Sequence, residues 1–113
     1  MRIAIIGSRG TVPTNLAEYL ADCDEIVSGG AKGVDAYAAK YAKEHNIPLK
    51  EFMPEYKRYG RGAPIVRNRQ IVDYADHILA FWDGKSKGTQ WVIKYAEMCG
   101  KPCTVIRCES DCP

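Results

Sequence analysis

Short apolar runs alternate with segments of helical periodicity along this chain. The runs predict five β-strands, at residues 2–7, 24–28, around Phe52, 78–82 and 103–107. Apolar side chains at helical spacing predict four helices, one opening at Val12 and Pro13 and three at residues 34–45, 63–74 and 88–98. Strands alternating with helices indicate a parallel sheet covered on both faces. We therefore expect an α/β protein, a three-layer sandwich with a five-stranded parallel sheet.

The length of the chain limits where a binding site can lie. At 113 residues it can form one core, but it is too short for separate cofactor and substrate domains. We expect one domain at residues 1–107 and a tail at 108–113. A site must then lie in a surface crevice or between two copies of the chain. In sheets of this kind, ligands bind beyond the carboxyl ends of the strands, where the strand order reverses.

Three glycine-rich segments belong to that edge, because each directly follows a predicted strand. They span residues 7–10, 28–33 and 83–89. The middle segment joins a strand to a helix, and its candidate ligand-binding residues are Ser28, Gly29, Gly30, Gly33 and Asp35. Glycines let backbone N–H groups approach an anion closely, and the following helix presents unpaired N–H groups. The segment therefore indicates a phosphate site, with a plain tight turn as the alternative.

The other two segments supply further candidates. Gly88 and Thr89 open a predicted helix, so their amides and the Thr89 hydroxyl can hold phosphate oxygens, or Thr89 can simply cap the helix. After the first strand, Gly7, Ser8 and Arg9 form either a ligand contact or a turn. Asp83 and Asp35 are conceivable acid–base groups. For Asp35, an interaction with backbone amides of its own helix ranks before a bond to a ribose hydroxyl.

Composition describes an ordinary globular protein. Hydrophobic residues make up 46% and charged residues 27%, and no apolar run approaches the ~20 residues of a membrane helix. The apolar start stops at Gly7, far short of a secretory signal. We expect a cytoplasmic protein that does not associate with membranes.

Positive charge is concentrated in one segment, although the formal net charge is only +2. Residues 57–69 contain no acid and hold five basic residues: Lys57, Arg58, Arg61, Arg67 and Arg69. Such a segment suits nucleic acid, a small phosphorylated ligand, or a solvated loop. Interruption by Tyr59, Gly60, Gly62 and Pro64 argues against one continuous basic helix.

The cysteines and histidines do not indicate a metal site. Four of the five cysteines, Cys99, Cys103, Cys108 and Cys112, lie near the C-terminus, but their spacing is not that of zinc-binding CxxC pairs. We interpret them as reduced thiols. His45 and His77 are isolated in the sequence and read as ordinary surface or packed residues. No metal is expected.

Taken in order, these motifs resemble the SLOG superfamily, and most closely its YspA/YpsA-related branch. The pattern GSR…GGAxGVD…YGxxAxxxRN…ADxILAF…GT runs from about residue 5 to residue 106. The resemblance implies a Rossmann-like fold and binding of nucleotides or nucleotide-derived molecules. The superfamily also includes cytokinin-activating phosphoribohydrolases and a DNA-processing protein that binds single-stranded DNA.

Arg67 and Asn68 match the Arg-Asn motif of that superfamily, and Arg67 is the strongest single candidate for a ligand contact. An arginine fork grips phosphate through two parallel hydrogen bonds, whereas lysine offers a point charge. The alternative for Arg67 is a solvated helix face. Asn68 either orients its neighbour or contacts ribose. Trp82 and Tyr59 are candidates for stacking on a base, although aromatic residues at strand ends more often serve packing.

The chain departs from the enzymes of the superfamily at one position. Their motif carries a glutamate three residues after the threonine, and Val92 stands there instead. The sequence therefore favours binding or sensing of a nucleotide or nucleotide derivative over catalysis. Two alternatives stay open: a nucleotide N-glycosidase or related hydrolase using Asp35 or Asp83, and a single-stranded nucleic-acid module. No cofactor beyond such a bound nucleotide is assigned, and a second copy of the chain is a further candidate partner.

Overall fold

The structure, a computed structural model, describes residues 1–8, 10–29 and 33–108. Its centre is a five-stranded sheet in which every pairing is parallel, with strand order β3-β2-β1-β4-β5. The strands are β1 (Arg2–Gly7), β2 (Glu25–Ser28), β3 (Leu49–Glu51), β4 (His77–Trp82) and β5 (Cys103–Arg107). The predicted five-stranded parallel sheet is confirmed.

Within the described residues, five helices connect the strands. They are α1 (Leu16–Tyr19), α2 (Val34–Glu44), α3 (Tyr56–Tyr59), α4 (Ala63–Tyr74) and α5 (Lys87–Met98). A 3₁₀ turn at Gly60–Gly62 joins α3 to α4. The longer helices α2, α4 and α5 provide the cover for the sheet.

One apolar cluster lies on each face of the sheet, between the sheet and the helices that cover it. The sheet and its two helical covers therefore form three layers. On one face, Val34 and Ala38 of α2 pack with Ile5 of β1 and Phe81 of β4. On the other face, side chains of α4 and α5 pack with alternate strand positions, among them Ile71, Val92, Ile6 and Ala80. Successive strand residues point to opposite faces, so β1, β2, β4 and β5 contribute to both clusters, whereas β3 contributes Leu49 to one of them. The fold is a Rossmann-like three-layer α/β sandwich.

The strand order fixes where a crevice can form. The chain winds from β1 outward through β2 to β3, and then crosses back to place β4 on the other side of β1. The connection after β1 therefore runs to one face of the sheet and the connection after β4 to the other. The carboxyl ends of β1 and β4 lie side by side, with Gly7 paired to Phe81. Such a reversal point leaves a crevice beyond the strand ends.

Four details differ from the sequence prediction. The helix expected from Val12 is a single turn, and Asn15 before it has a left-handed backbone (φ 56°) that no regular helix can include. The third strand ends at Glu51, before Phe52. The segment predicted as a basic loop contains α3 and the 3₁₀ turn. Finally, α5 begins at Lys87, one residue before Gly88.

Candidate functional site

A cleft of about 170 Å³ lies at the reversal point between the carboxyl ends of the strands. Seven of the residues singled out from the sequence line it: Gly7, Gly29, Asp35, Arg67, Asn68, Gly88 and Thr89. Val92, which stands at the position of the phosphoribohydrolase glutamate, also lines it, together with three residues that the sequence did not single out: Ile6, Ile71 and Ser86. Ile6 and Ile71 are part of the core, and their sequence pattern gives no sign that they also line a cleft.

Arg67 projects from α4 and is held at two points. Its Nε–H donates to Asn68 Oδ1 at 2.8 Å, and its Nη1 donates to the backbone carbonyl of Gly29 at 3.1 Å. The side chain is half-buried and lines the cleft, so it does not lie on a solvated helix face. The contact with Asn68 corresponds to the orienting role considered for that residue.

Gly29 is the surface against which the Arg67 guanidinium packs. A Cβ at this position would lie 2.5 Å from Arg67 Nη1 and 3.2 Å from Asp35 Oδ2. Both distances are shorter than ordinary van der Waals contact, so a larger residue would displace the guanidinium. Glycine here permits a close approach of side chains, and it also places Arg67 and Asp35 on the same wall of the cleft.

Asp35 lies in the first turn of α2, where a negative charge complements the helix dipole. The residue also lines the cleft. Gly33 is the N-cap of α2, with a φ of 81° that favours glycine, and it is absent from the cleft lining. The structure therefore places Asp35 at the cleft and Gly33 in the turn beside it.

Gly7 combines two roles at the end of β1. It lines the cleft, and a Cβ on it would lie 2.3 Å from Val34 Cγ2 and 3.1 Å from the carbonyl oxygen of Phe81. The absence of a side chain thus lets the start of α2 pack directly against β1. This packing accounts for the glycine independently of any ligand.

The start of α5 forms the opposite wall of the cleft. Ser86 is its N-cap, and the Ser86 hydroxyl accepts from the Thr89 N–H at 3.5 Å, so the alternative in which Thr89 caps the helix is wrong. A serine three residues before the helical Thr89 is the signal that could have identified this cap. Gly88 is exposed, and a Cβ on it would have no heavy atom within 4 Å. The first turn carries no acidic residue.

Asp83 shapes the loop that leads into α5. Its Oδ1 accepts the backbone N–H groups of both Lys85 and Ser86 at 2.8 Å. These bonds lower the pKa of the Asp83 carboxyl below its usual value. The bond from Ser86 has the largest effect, and the bond from Lys85 the next largest. The residue does not line the cleft, so its position fits a turn-forming role better than a ligand contact or acid–base catalysis.

Ser8, which follows β1, is hydrogen-bonded both to Thr89 of α5 and to Asp83, which follows β4. Ser8 Oγ donates to Thr89 Oγ1 at 3.3 Å and accepts the backbone N–H of Asp83 at 3.3 Å. Both side chains are buried, and only Thr89 lines the cleft.

Ser28, at the end of β2, is fully buried, and its hydroxyl has no hydrogen-bond partner within the described part of the chain. Arg9 and Gly30 lie outside the described residues.

Trp82 has contacts that belong to packing. Its indole Nε1 donates to the carbonyl of Ser86 at 3.0 Å, and the Arg107 guanidinium lies 5.9 Å from its ring centroid. Tyr59 is approached by the guanidinium of its neighbour Arg58 at 5.2 Å. Trp82 therefore supports the N-cap of α5, and base stacking by either ring stays a prediction.

The basic segment does not form one surface. Lys57, Arg58 and Arg61 are exposed around α3, whereas Arg67 is turned into the cleft. Arg69 is exposed and lies 5.8 Å from the ring centroid of Tyr95 on α5. The two arginines of the Arg-Asn-Arg sequence thus have different surroundings, and Arg69 provides a matched control for Arg67.

The cysteines and histidines of the described residues lie in ordinary surroundings, and Cys112 lies outside the described residues. Cys23, Cys99, Cys103 and Cys108 are free thiols, and burial raises the pKa of the Cys23 and Cys103 thiols. Across residues 1–8, 10–29 and 33–108, no three His, Cys, Asp or Glu side chains are grouped so that they could hold a metal ion. His77 Nε2 is hydrogen-bonded to Thr104 Oγ1 at 2.8 Å.

Among the described residues, no helix has the length and apolar content needed to cross a bilayer.

The sheet order and the cleft at its reversal point define a Rossmann-like α/β protein. The sequence of residues 1–59 matches the model of the YspA, cpYpsA-related SLOG family, and the chain belongs to this family. The match covers β1 to α3 and hence Gly7, Gly29 and Asp35 of the cleft lining, whereas Arg67 and α5 lie beyond it. Neither the curated proteins nor the solved structures contain a match to this chain.

Proposed function

We propose that the protein binds a nucleotide or a nucleotide-derived small molecule in this cleft, with a phosphate held between Arg67 and the start of α5. The observation that carries the proposal is the Arg67 guanidinium, which is fixed inside the cleft rather than directed to bulk solvent. A guanidinium matches the geometry of phosphate oxygens and remains charged at any physiological pH.

The start of α5 adds to this electrostatic environment. The first N–H groups of a helix carry partial positive charge and favour an anion. Ser86 and Gly88 line the cleft there, and the first turn lacks the acidic residue that would oppose a phosphate. A cation on one wall and a helix N-terminus on the other together favour an anionic ligand.

The Asp35 side of the cleft suits a different part of the same ligand. A carboxylate accepts hydrogen bonds and repels phosphate, so we place sugar hydroxyl groups at Asp35 and the phosphate between the Arg67 guanidinium and the start of α5, on the side of the guanidinium away from that carboxylate. The volume of about 170 Å³ is below the roughly 300–1,000 Å³ of clefts that enclose drug-sized ligands. In this proposal the sugar and phosphate occupy the cleft, and the base extends beyond its open side.

The cleft lining supports binding or sensing over hydrolysis. Val92, which replaces the glutamate of the phosphoribohydrolase motif, lies in the wall itself and offers no proton-transfer group. The lowered pKa of Asp83 keeps that carboxyl ionised and bound to its own loop at neutral pH. Asp35 is the residue that keeps an N-glycosidase as the second candidate, because its carboxylate lines the cleft.

A single-stranded nucleic-acid module is the third candidate. The exposed cations Lys57, Arg58 and Arg61 support it. If oligonucleotides were the ligand, affinity would fall steeply with salt, because several phosphates would be neutralised together. A single phosphate held inside the cleft predicts a weaker dependence on salt.

Ligand retention and thermal stabilisation test the proposal. Native mass spectrometry of the purified protein should show a bound nucleotide-sized mass, or a panel of phosphorylated nucleosides should contain a member that raises the melting temperature. A ligand at 100 times its Kd adds about 2.7 kcal/mol, which corresponds to several degrees for a domain of this size. No retained ligand and no shift with any member, ADP-ribose-like and cyclic forms included, would contradict the proposal.

A further inference from the structure

Asn68 faces Arg67 with its amide oxygen, and this orientation is dictated by chemistry. The Nε of arginine can only donate, so the atom of Asn68 that lies 2.8 Å from it must be the acceptor Oδ1. The two residues are consecutive on α4 and both line the cleft. The contact thus belongs to the site rather than to a distant surface.

The second contact of Arg67 completes a two-point attachment of the guanidinium. Nε is bound by Asn68 and Nη1 by the Gly29 carbonyl at 3.1 Å. A planar group held through two of its nitrogens has one orientation in its plane. Of the five N–H donors of an arginine, these bonds use two and leave three, all on Nη1 and Nη2.

We propose that Asn68 is a positioning residue, which holds the Arg67 guanidinium so that its remaining Nη donors meet the phosphate; this inference rests on the proposed function. A long arginine side chain that is already held loses less conformational freedom when the ligand binds. Asn68 increases affinity through Arg67 and makes no ligand contact of its own.

A double-mutant cycle with inorganic phosphate as the probe separates these roles. Affinity is measured by NMR titration for the wild type, Asn68→Ala, Arg67→Lys and the double variant. Asn68→Ala should weaken phosphate binding about two- to tenfold in the wild-type background, which is the typical cost of immobilising one long side chain on binding. In the Arg67→Lys background it should have no further effect, because lysine has no Nε–H for Asn68 to hold. Alanine is the strongest helix former, so α4 should remain folded.

Two outcomes would overturn the inference while leaving the proposed site intact. An equal loss in both backgrounds would show that Asn68 contacts the anion itself, and no loss in either would show that it has no part in binding. If Arg67→Lys alone left phosphate affinity unchanged, the proposed phosphate site would fail, and the inference would fail with it.

The Arg67 Nε–H resonance gives a readout that a general structural role would not move. In the ligand-free wild type, the Arg67 Nε proton should exchange slowly with water. Its resonance should persist in Asn68→Asp, which keeps the acceptor oxygen. It should be lost in Asn68→Ala while the backbone amide spectrum of the sheet stays the same. The exposed Arg69 supplies the internal control for fast exchange. Unaltered exchange at Arg67 Nε in Asn68→Ala would contradict the positioning role.

Discussion

At the scale of single residues, the glycines near the strand ends each meet a different physical requirement. Gly7 lets α2 approach β1, Gly29 makes room for the Arg67 guanidinium, and Gly33 adopts a positive φ at the start of α2. The sequence marks all three in the same way, as glycines of a segment that follows a predicted strand. It cannot separate them, because the neighbour that each glycine accommodates lies far away in the chain or is set by the local backbone.

Gly29→Ala tests the contact between Gly29 and Arg67. The added Cβ would lie 2.5 Å from Nη1, so we expect the guanidinium to move and its bond to the Gly29 carbonyl to break. Stability should fall by only about 1 kcal/mol, because the displaced group is the end of a flexible side chain. Thermal stabilisation by phosphorylated nucleosides should be largely lost. Full stabilisation in this variant would show that the position of Arg67 does not matter for binding.

Asp83→Asn tests the loop before α5 through its pH dependence. Because bonds from Ser86 and Lys85 lower the folded-state pKa, the ionised carboxylate stabilises the fold above its ordinary pKa of 3.8. That contribution is lost as the pH falls through the lowered folded-state value. Urea midpoints should therefore differ most between wild type and variant at pH 7, and should converge toward pH 3. Asp22→Asn, at an exposed aspartate, is the control, and a pH-independent difference at Asp83 would refute the assignment.

At the scale of secondary structure elements, periodicity predicts the regular parts of this chain well. The bounds of β1, β5 and α4 agree with the sequence prediction, because their apolar positions repeat with the period of the element that they form. The prediction is wrong for the helix after β1, since Leu16, Tyr19 and Leu20 suggest a longer helix than the backbone at Asn15 allows. It also missed α3, whose charged and aromatic residues show no apolar face.

The edge of the sheet at which the candidate site lies could also be predicted from the sequence. Parallel strands bring their carboxyl ends to one edge, so any polar or glycine-rich residue after a strand is a candidate. Which candidates face the cleft depends on packing between elements distant in sequence. Ser8 bonds to Thr89, 81 positions away, and turns into the protein, whereas Ser86 lines the cleft.

Gly88→Ala separates helix stability from ligand binding at α5. The new Cβ would meet no atom of the protein, and alanine favours helix formation over glycine by up to about 1 kcal/mol. The melting temperature of the ligand-free protein should therefore stay the same or rise. The methyl group would nevertheless occupy the cleft wall at the helix start, so nucleotide affinity should fall. An unchanged affinity would place the phosphate away from α5.

At the scale of the whole molecule, the fold supplies a crevice and the cleft residues supply its charge. The formal net charge is only +2, so the molecule as a whole attracts anions weakly. The proposed selectivity for a phosphorylated ligand therefore rests on the cleft itself, which Arg67 and the start of α5 both line. The family match at residues 1–59 leaves the Arg67 wall to be tested directly.

The residues that line the cleft lead us to predict that the protein does not hydrolyse nucleotides. We expect no release of base from AMP or substituted adenosine monophosphates, because Val92 occupies the position of the glutamate and a positioned acid–base group contributes 10²–10⁴ in rate. The assay measures free base and ribose 5-phosphate. Turnover above about one per minute that disappears in Asp35→Asn would instead establish the enzyme alternative. Turnover that survives both Asp35→Asn and Asp83→Asn would indicate a contaminant or another catalytic residue.

The most direct measurement of the central claim is calorimetric titration of the most stabilising nucleotide into three proteins: wild type, Arg67→Lys and Arg69→Lys. Both variants keep the net charge, but only the first removes the guanidinium from the cleft. We expect affinity to fall about tenfold or more for Arg67→Lys, since a charged hydrogen bond contributes about 1.5–3 kcal/mol, and to change little for Arg69→Lys. Equal affinity in all three proteins would contradict the proposed phosphate site.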